Sequence, residues 1–146
     1  TNATYAAVDN LSVQTKQRFD RNSPLVVERL IEVPRIRNDK KVTNPKLADL
    51  MTEQIRTRFM QLGYNLVDST ASTGAKSQGV VFGTFEAYTK TLTVRLQMKD
   101  RSSGQLLGLQ VFSLPITGDI RKHMDPYSGG IPLYQVRDGM DEMFDR

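Results

Sequence analysis

Gly79-Val-Val-Phe-Gly-Thr-Phe-Glu86 and Thr91-Leu-Thr-Val-Arg-Leu-Gln-Met-Lys-Asp-Arg-Ser-Ser-Gly-Gln-Leu-Leu-Gly-Leu-Gln-Val-Phe-Ser-Leu-Pro115 hold three apolar-rich runs separated by short polar turns. Leu92, Val94, Leu96 and Met98 fall on every second position, so they share one face of a strand. Thr91, Thr93, Arg95, Gln97 and Lys99 take the other, wetter face. The pattern predicts a meander of antiparallel strands buried on one side. Asp100 can accept bonds from the amides of the turn Ser102-Ser103-Gly104, and Pro115 marks a strand end or an edge.

Working outward, the clearest helix runs from Pro45 to Leu62. Asn44 is placed to accept from its first free amides, and Pro45 needs no donor there. Leu47, Leu50, Met51, Ile55, Phe59 and Leu62 form one stripe, with Glu53, Arg56 and Arg58 expected to face out. Gly63 supplies a left-handed stop. Leu25 to Ile31 and Tyr64 to Val67 read as strands on either side, giving a βαβ unit with parallel strands. Arg35 to Thr43 is expected to be an exposed loop, whose cluster Arg37 to Lys41 reads first as a solvated loop tip and only second as a contact for phosphate or lipid headgroups. Tyr5, Val8, Leu11, Thr15 and Phe19 predict an amphipathic helix over 3–21, packed on the same sheet. Ser69 to Gln78 is expected to be a loop. It lacks the spacing of a phosphate-binding loop and leads into a strand rather than a helix. Asp119 to Met124 fits one or two helical turns, Asp125 to Pro132 an extended loop, and Leu133 to Phe144 a short closing helix.

These elements predict an α+β fold. It is an α/β sandwich with one mixed sheet of about five strands, a βαβ unit followed by the meander, and helices packed on the sheet. One domain over 1–146 is expected, with a helix and linker over 1–24, a core over 25–118 and a C-terminal extension over 119–146.

Composition narrows the chemistry. The chain has 146 residues, 20 basic and 16 acidic, with interspersed signs, and lacks the clustered basic footprint of a nucleic-acid binder. With no cysteine, disulfides and thiolate metal sites are excluded. His123 is the only histidine, and Asp119 and Asp125 are too few to complete a metal cage or a catalytic pair around it. Ser102, Ser103 and Ser128 have no base placed beside them. Asp138, Asp141, Glu142 and Asp145 lack the spacing of a calcium loop. No catalytic residue, cofactor or metal is therefore expected. Tyr127, Ile131, Leu133, Tyr134 and Phe144 are large apolar groups on a weakly apolar tail and form the candidate partner interface.

Several segments together resemble the FlgO family of bacterial outer-membrane-associated flagellar proteins and, more widely, TolB-N-like envelope domains. They are Phe59-Met60-Gln61-Leu62-Gly63-Tyr64-Asn65-Leu66-Val67, Phe82-Gly83-Thr84-Phe85, Leu92-Thr93-Val94-Arg95-Leu96, Asp100 to Leu107 and Phe112-Ser113-Leu114-Pro115. The likeness covers roughly Leu25 to Ile116. It implies a non-catalytic scaffold or assembly protein of the periplasm, associated with the outer membrane and partnered by protein subunits of a homo- or hetero-oligomer in a flagellar basal structure. A ring component of a secretion system and a small-ligand or peptidoglycan-binding module are the alternatives. Family members are commonly lipid-anchored through an N-terminal cysteine. An anchor of that kind would here lie before Thr1. The chain begins Thr-Asn-Ala-Thr without an initiator Met, consistent with a processed end.

Overall fold

The structure, a computed structural model, describes residues 2–37, 40–68 and 78–124. Three long strands form the centre: β6 (Gly79–Ala87), β7 (Thr91–Asp100) and β8 (Leu106–Pro115), paired antiparallel in sequence order. The alternation in β7 has its expected effect, because Leu92, Val94, Leu96 and Met98 are all fully buried. The β7–β8 turn is held by Asp100, whose Oδ1 accepts from the Ser102 N–H at 2.9 Å. Pro115 is the last residue of β8, at the sheet edge. A bulge opposite Met98 and Lys99 adds one residue to β8. Leu107 and Gly108 are consequently both buried, where strict alternation would turn one of them out.

The other edge of β6 carries the βαβ unit. β1 (Pro24–Val27) runs parallel to β6, and β5 (Asn65–Leu66) runs parallel to β1, so the order is β5-β1-β6-β7-β8. The expected strand Leu25 to Ile31 is broken. β2 (Ile31–Glu32) returns to β6 after Glu28-Arg29-Leu30, which makes six strands. The break has a local cause. The Leu30 side chain is buried, and its N–H donates to Thr52 Oγ1 at 3.0 Å instead of to a strand.

A second correction concerns residues 35–43. They are not a loop but largely a hairpin of β3 (Arg35–Arg37) and β4 (Lys40–Val42), forming a separate two-stranded sheet. The polar composition suggested a loop, whereas the register pairs Arg35 with Val42, Ile36 with Lys41 and Arg37 with Lys40.

Helix α2 (Pro45–Gln61) lies against β1, β2 and β5, burying Leu47, Met51, Ile55 and Phe59. Gly63 ends it at φ +89, a conformation available to a residue without Cβ. Asn44 does not cap the helix with its side chain. Its Nδ2 donates to Glu32 Oε2 at 2.7 Å and its N–H to Glu32 Oε1, tying the helix start to β2.

Helix α1 (Asn2–Thr15) is shorter than the expected 3–21 and lies over β8 and β7 beside α2. Val8 and Leu11 are fully buried in the one core cluster, so this end folds back on its own sheet. The helix ends at Thr15, whose carbonyl accepts from both Arg18 and Phe19. A single turn α3 (Gly118–Arg121) follows β8. No helix among the described residues is long and apolar enough to cross a membrane.

Arg58 was expected on the outer face and is instead the clasp between the helices. Its Nε and Nη2 donate to the two carboxylate oxygens of Asp9 at 2.7 and 2.8 Å, and its guanidinium carbon sits 5.2 Å from the Tyr5 ring centre. The Arg58 hydrogen bond, helped by its charge and opposed by burial, holds the Asp9 carboxyl below its usual 3.8. A lowered folded value gives stability above the usual value and loses it as pH falls through the folded one. Arg58→Ala is therefore expected to lower the melting temperature at neutral pH, with the gap to the parent closing in acid. A gap that does not change with pH would assign the loss to packing on Tyr5 rather than to the ion pair.

Candidate functional site

The helices cover one face of the sheet, and register dictates what the other presents. Cross-strand partners share a face, so Ile31, Thr84, Arg95 and Val111 form one row across β2, β6, β7 and β8. Phe82, Gln97 and Leu109 form the next row, and Glu86, Thr93 and Ser113 the row on the other side. No helix among the described residues packs here. Val111 is 57% exposed and Ile31 67%, while Phe82 and Leu109 are half-buried. Lys99 Nζ lies 5.0 Å from the Phe82 ring centre, and Thr93 Oγ1 is 3.3 Å from Ser113 Oγ. Apolar side chains are interleaved here with Thr, Gln and one exposed Arg.

A groove of about 710 Å³ opens between α2, the end of β8 and α3. Leu47, Met51, Leu114 and Ile120 belong to its apolar lining, and Gln54, Thr117, Lys122 and His123 are its polar members. His123 is half-buried there. Among the described residues no three His, Cys, Asp or Glu side chains come together as a group that could hold a metal ion.

The proposed interface residues Tyr127, Ile131, Leu133, Tyr134 and Phe144 lie outside the described residues. So do the loop over 69–77, the loop from Asp125 and the closing helix from Leu133. The outer sheet face is not legible in the sequence, because its polar alternates read as plain solvent exposure. The signal available was Val111, an apolar residue on the side where β7 places Arg95.

No family model matches the chain, and no curated protein matches it. Solved structures do. The chain is similar in fold to the LpoB C-terminal domain. Against that domain from Escherichia coli the TM-score is 0.57 at 14% identity, covering 77% of this chain and 96% of that one. The same domain from Salmonella enterica gives 0.55 at 13%, with the same coverages. The E. coli LpoB structure determined by NMR gives 0.54 at 13%, covering 75% of this chain and 64% of that one. At such identity the likeness shows the fold. It also overturns the resemblance to the FlgO family: the segments quoted for it are the end of α2 and strands and turns of this sheet, an architecture similar to that of the LpoB domains. The flagellar role implied by that resemblance is withdrawn.

Proposed function

We propose that this chain is a non-catalytic assembly domain of the bacterial cell envelope that binds a protein partner through the outer face of its sheet. The observation that carries the reading is the row Ile31, Thr84, Arg95, Val111 with Phe82 and Leu109 beside it. Exposed β-branched groups beside a half-buried aromatic on a rigid sheet form a preorganised docking surface, and the flanking Thr, Gln and Arg supply a polar rim. The likeness to LpoB domains of two bacteria supports a bacterial setting. Placement in the periplasm beside the outer membrane belongs to the proposal, by analogy of fold.

The partner is a protein subunit, either another copy of this chain or a different one. Tyr127, Ile131, Leu133, Tyr134 and Phe144 extend the contact from the C-terminal extension in this proposal. Among the described residues the buried core ends at Leu114. Deleting 125–146 is therefore expected to leave circular dichroism and cooperative melting intact. The same deletion should reduce co-purification of the partner with the chain from the membrane fraction of crosslinked cells. If the truncated chain does not fold, the tail belongs to the core; if it captures the partner undiminished, the tail has no part in the interface.

A further inference from the structure

Strand β8 ends the sheet, and among the described residues no strand lies beyond it. Its backbone therefore presents donors and acceptors on the side away from β7. The ladder shows which residues own them. The Leu109 N–H turns away from β7 and donates to Gln14 Oε1 of α1 at 3.0 Å. Backbone groups alternate sides along an antiparallel strand, so those of Val111 and Ser113 point outward too, while Gln110, Phe112 and Leu114 face β7. The Ile116 N–H, which donates to the Lys90 carbonyl on the β7 side, fixes the same phase from the other end.

An open edge of 10 residues is a template for pairing with another chain, and proteins usually guard it. Here the guards stand at its two ends. The bulge opposite Met98 and Lys99, with Gln14, closes the first half, and Pro115 has no N–H to give. Between them Val111 and Ser113 are exposed, and their outward N–H groups meet no backbone partner among the described residues. Charge, another common guard, is missing. β8 contains no Lys, Arg, Asp or Glu. α1, which lies over it, contains only Asp9, held by Arg58 of α2. In a chain with 25% charged residues, these two elements are depleted in charge as interface cores are.

These features favour a second copy over a different strand. Across a two-fold axis each residue meets the same surface, so a charge near the axis would face its own like, and this edge carries none. The free donors are also self-complementary. Antiparallel pairing about an axis at Phe112 sets Val111 opposite Ser113 of the second copy, and each such rung exchanges both bonds. It sets Leu109 opposite Pro115, the rung where one N–H is already used and the other does not exist. Every free edge donor thus finds an acceptor.

We infer that β8 pairs edge to edge with β8 of a second copy of this chain, joining two sheets into one. The contact uses the backbone edge and is separate from the outer face, whose side chains remain open to a different protein. Sedimentation equilibrium of the purified full chain over a range of concentrations tests it, and a dimer of twice the 16.5 kDa chain is expected. Ser113→Pro removes an N–H that makes no bond to β7, a place where an edge strand accepts proline. The dimer loses that bond twice, and at about fivefold per bond it should dissociate about twenty-five-fold more readily. Ser113→Lys keeps every backbone group, puts like charges near the axis and should also weaken the dimer. Thr93→Val removes only the hydroxyl contact to Ser113, and Arg95→Ala only an outer-face side chain, so both should dimerise as the parent does. A chain monomeric at every concentration would overturn the inference and leave the outer-face reading standing. Parent-like dimerisation of folded Ser113→Pro and Ser113→Lys would overturn it too. Loss of the dimer in Arg95→Ala, with both Ser113 variants unaffected, would move the contact to the outer face. A monomeric parent that dimerises once 125–146 is deleted would give the edge to the chain's own C-terminal segment.

Discussion

Phe59→Ala is expected to destabilise the chain by about 3–5 kcal/mol, the usual cost of emptying a buried aromatic site. Phe59 is fully buried on α2 and meets Tyr64 edge-to-face, with ring centres 5.0 Å apart and planes at 89°. Tyr64 in turn stacks with Phe19 at 6.4 Å, and its hydroxyl lies 2.7 Å from Ser12 Oγ on α1. Removing the Phe59 ring therefore leaves a cavity at the junction of α1, α2 and the residue leading into β5. The surroundings cannot collapse into it without breaking the Ser12–Tyr64 bond. The neighbouring Met60 is 54% exposed, and Met60→Ala should stay within about 0.5 kcal/mol. Urea midpoints at equal slope measure both. Equal midpoints for the two variants would mean that α2 is rotated from the orientation described.

Gly83→Ala should be nearly as severe, for the opposite reason. Gly83 lies in β6, the central strand, and pairs with Leu96. A Cβ at this position would sit 2.3 Å from the Arg95 carbonyl oxygen and 3.1 Å from Leu30 Cδ2. The first neighbour is backbone of the adjacent strand, so relief requires the β6–β7 ladder to separate locally. Overpacking of this kind costs about 3 kcal/mol at the upper end of its usual range. Gly118 is the control, because nothing lies within 4 Å of a Cβ built there. Gly118→Ala should leave the midpoint within about 0.5 kcal/mol of the parent. A neutral Gly83→Ala would show that the strands stand farther apart than described.

The parts of this fold that were legible in sequence are those set by local periodicity. Leu92 to Met98 alternate, Leu47 to Phe59 repeat at helical spacing, and Gly63 stops the helix, each within a few residues. Contacts across the chain were not legible. Arg58 lies 49 residues from Asp9, and nothing near it signals an acid on another helix. Asn44 looked like a cap because the Glu32 that claims its side chain belongs to a different strand. The hairpin at 35–42 was obscured by its charge, since Arg and Lys suggest solvent whether the backbone is paired or not. Leu25 to Ile31 read as continuous because the break depends on Thr52, a side chain of α2. The candidate interface is of the same kind. Ile31, Arg95 and Val111 come from three strands, and only the register of β2, β6, β7 and β8 puts them in one row.

Arg95, Thr84 and Thr93 give the outer face donors and hydroxyls, and Glu86, opposite Thr93, adds a carboxylate. In the proposed reading the face also offers shape on a stiff support, which lowers the entropy cost of binding a partner surface.

The most direct test of partner binding through the outer sheet face is site-specific photocrosslinking in living cells. A photoreactive side chain is placed at Val111, with Met60 on the helix side as the exposed control, and the cells are then fractionated. The expected result is a discrete crosslinked protein adduct from Val111 in the envelope fraction and none from Met60. No adduct at Val111, or equal adducts from both positions, would contradict the assignment of the outer face as the binding surface.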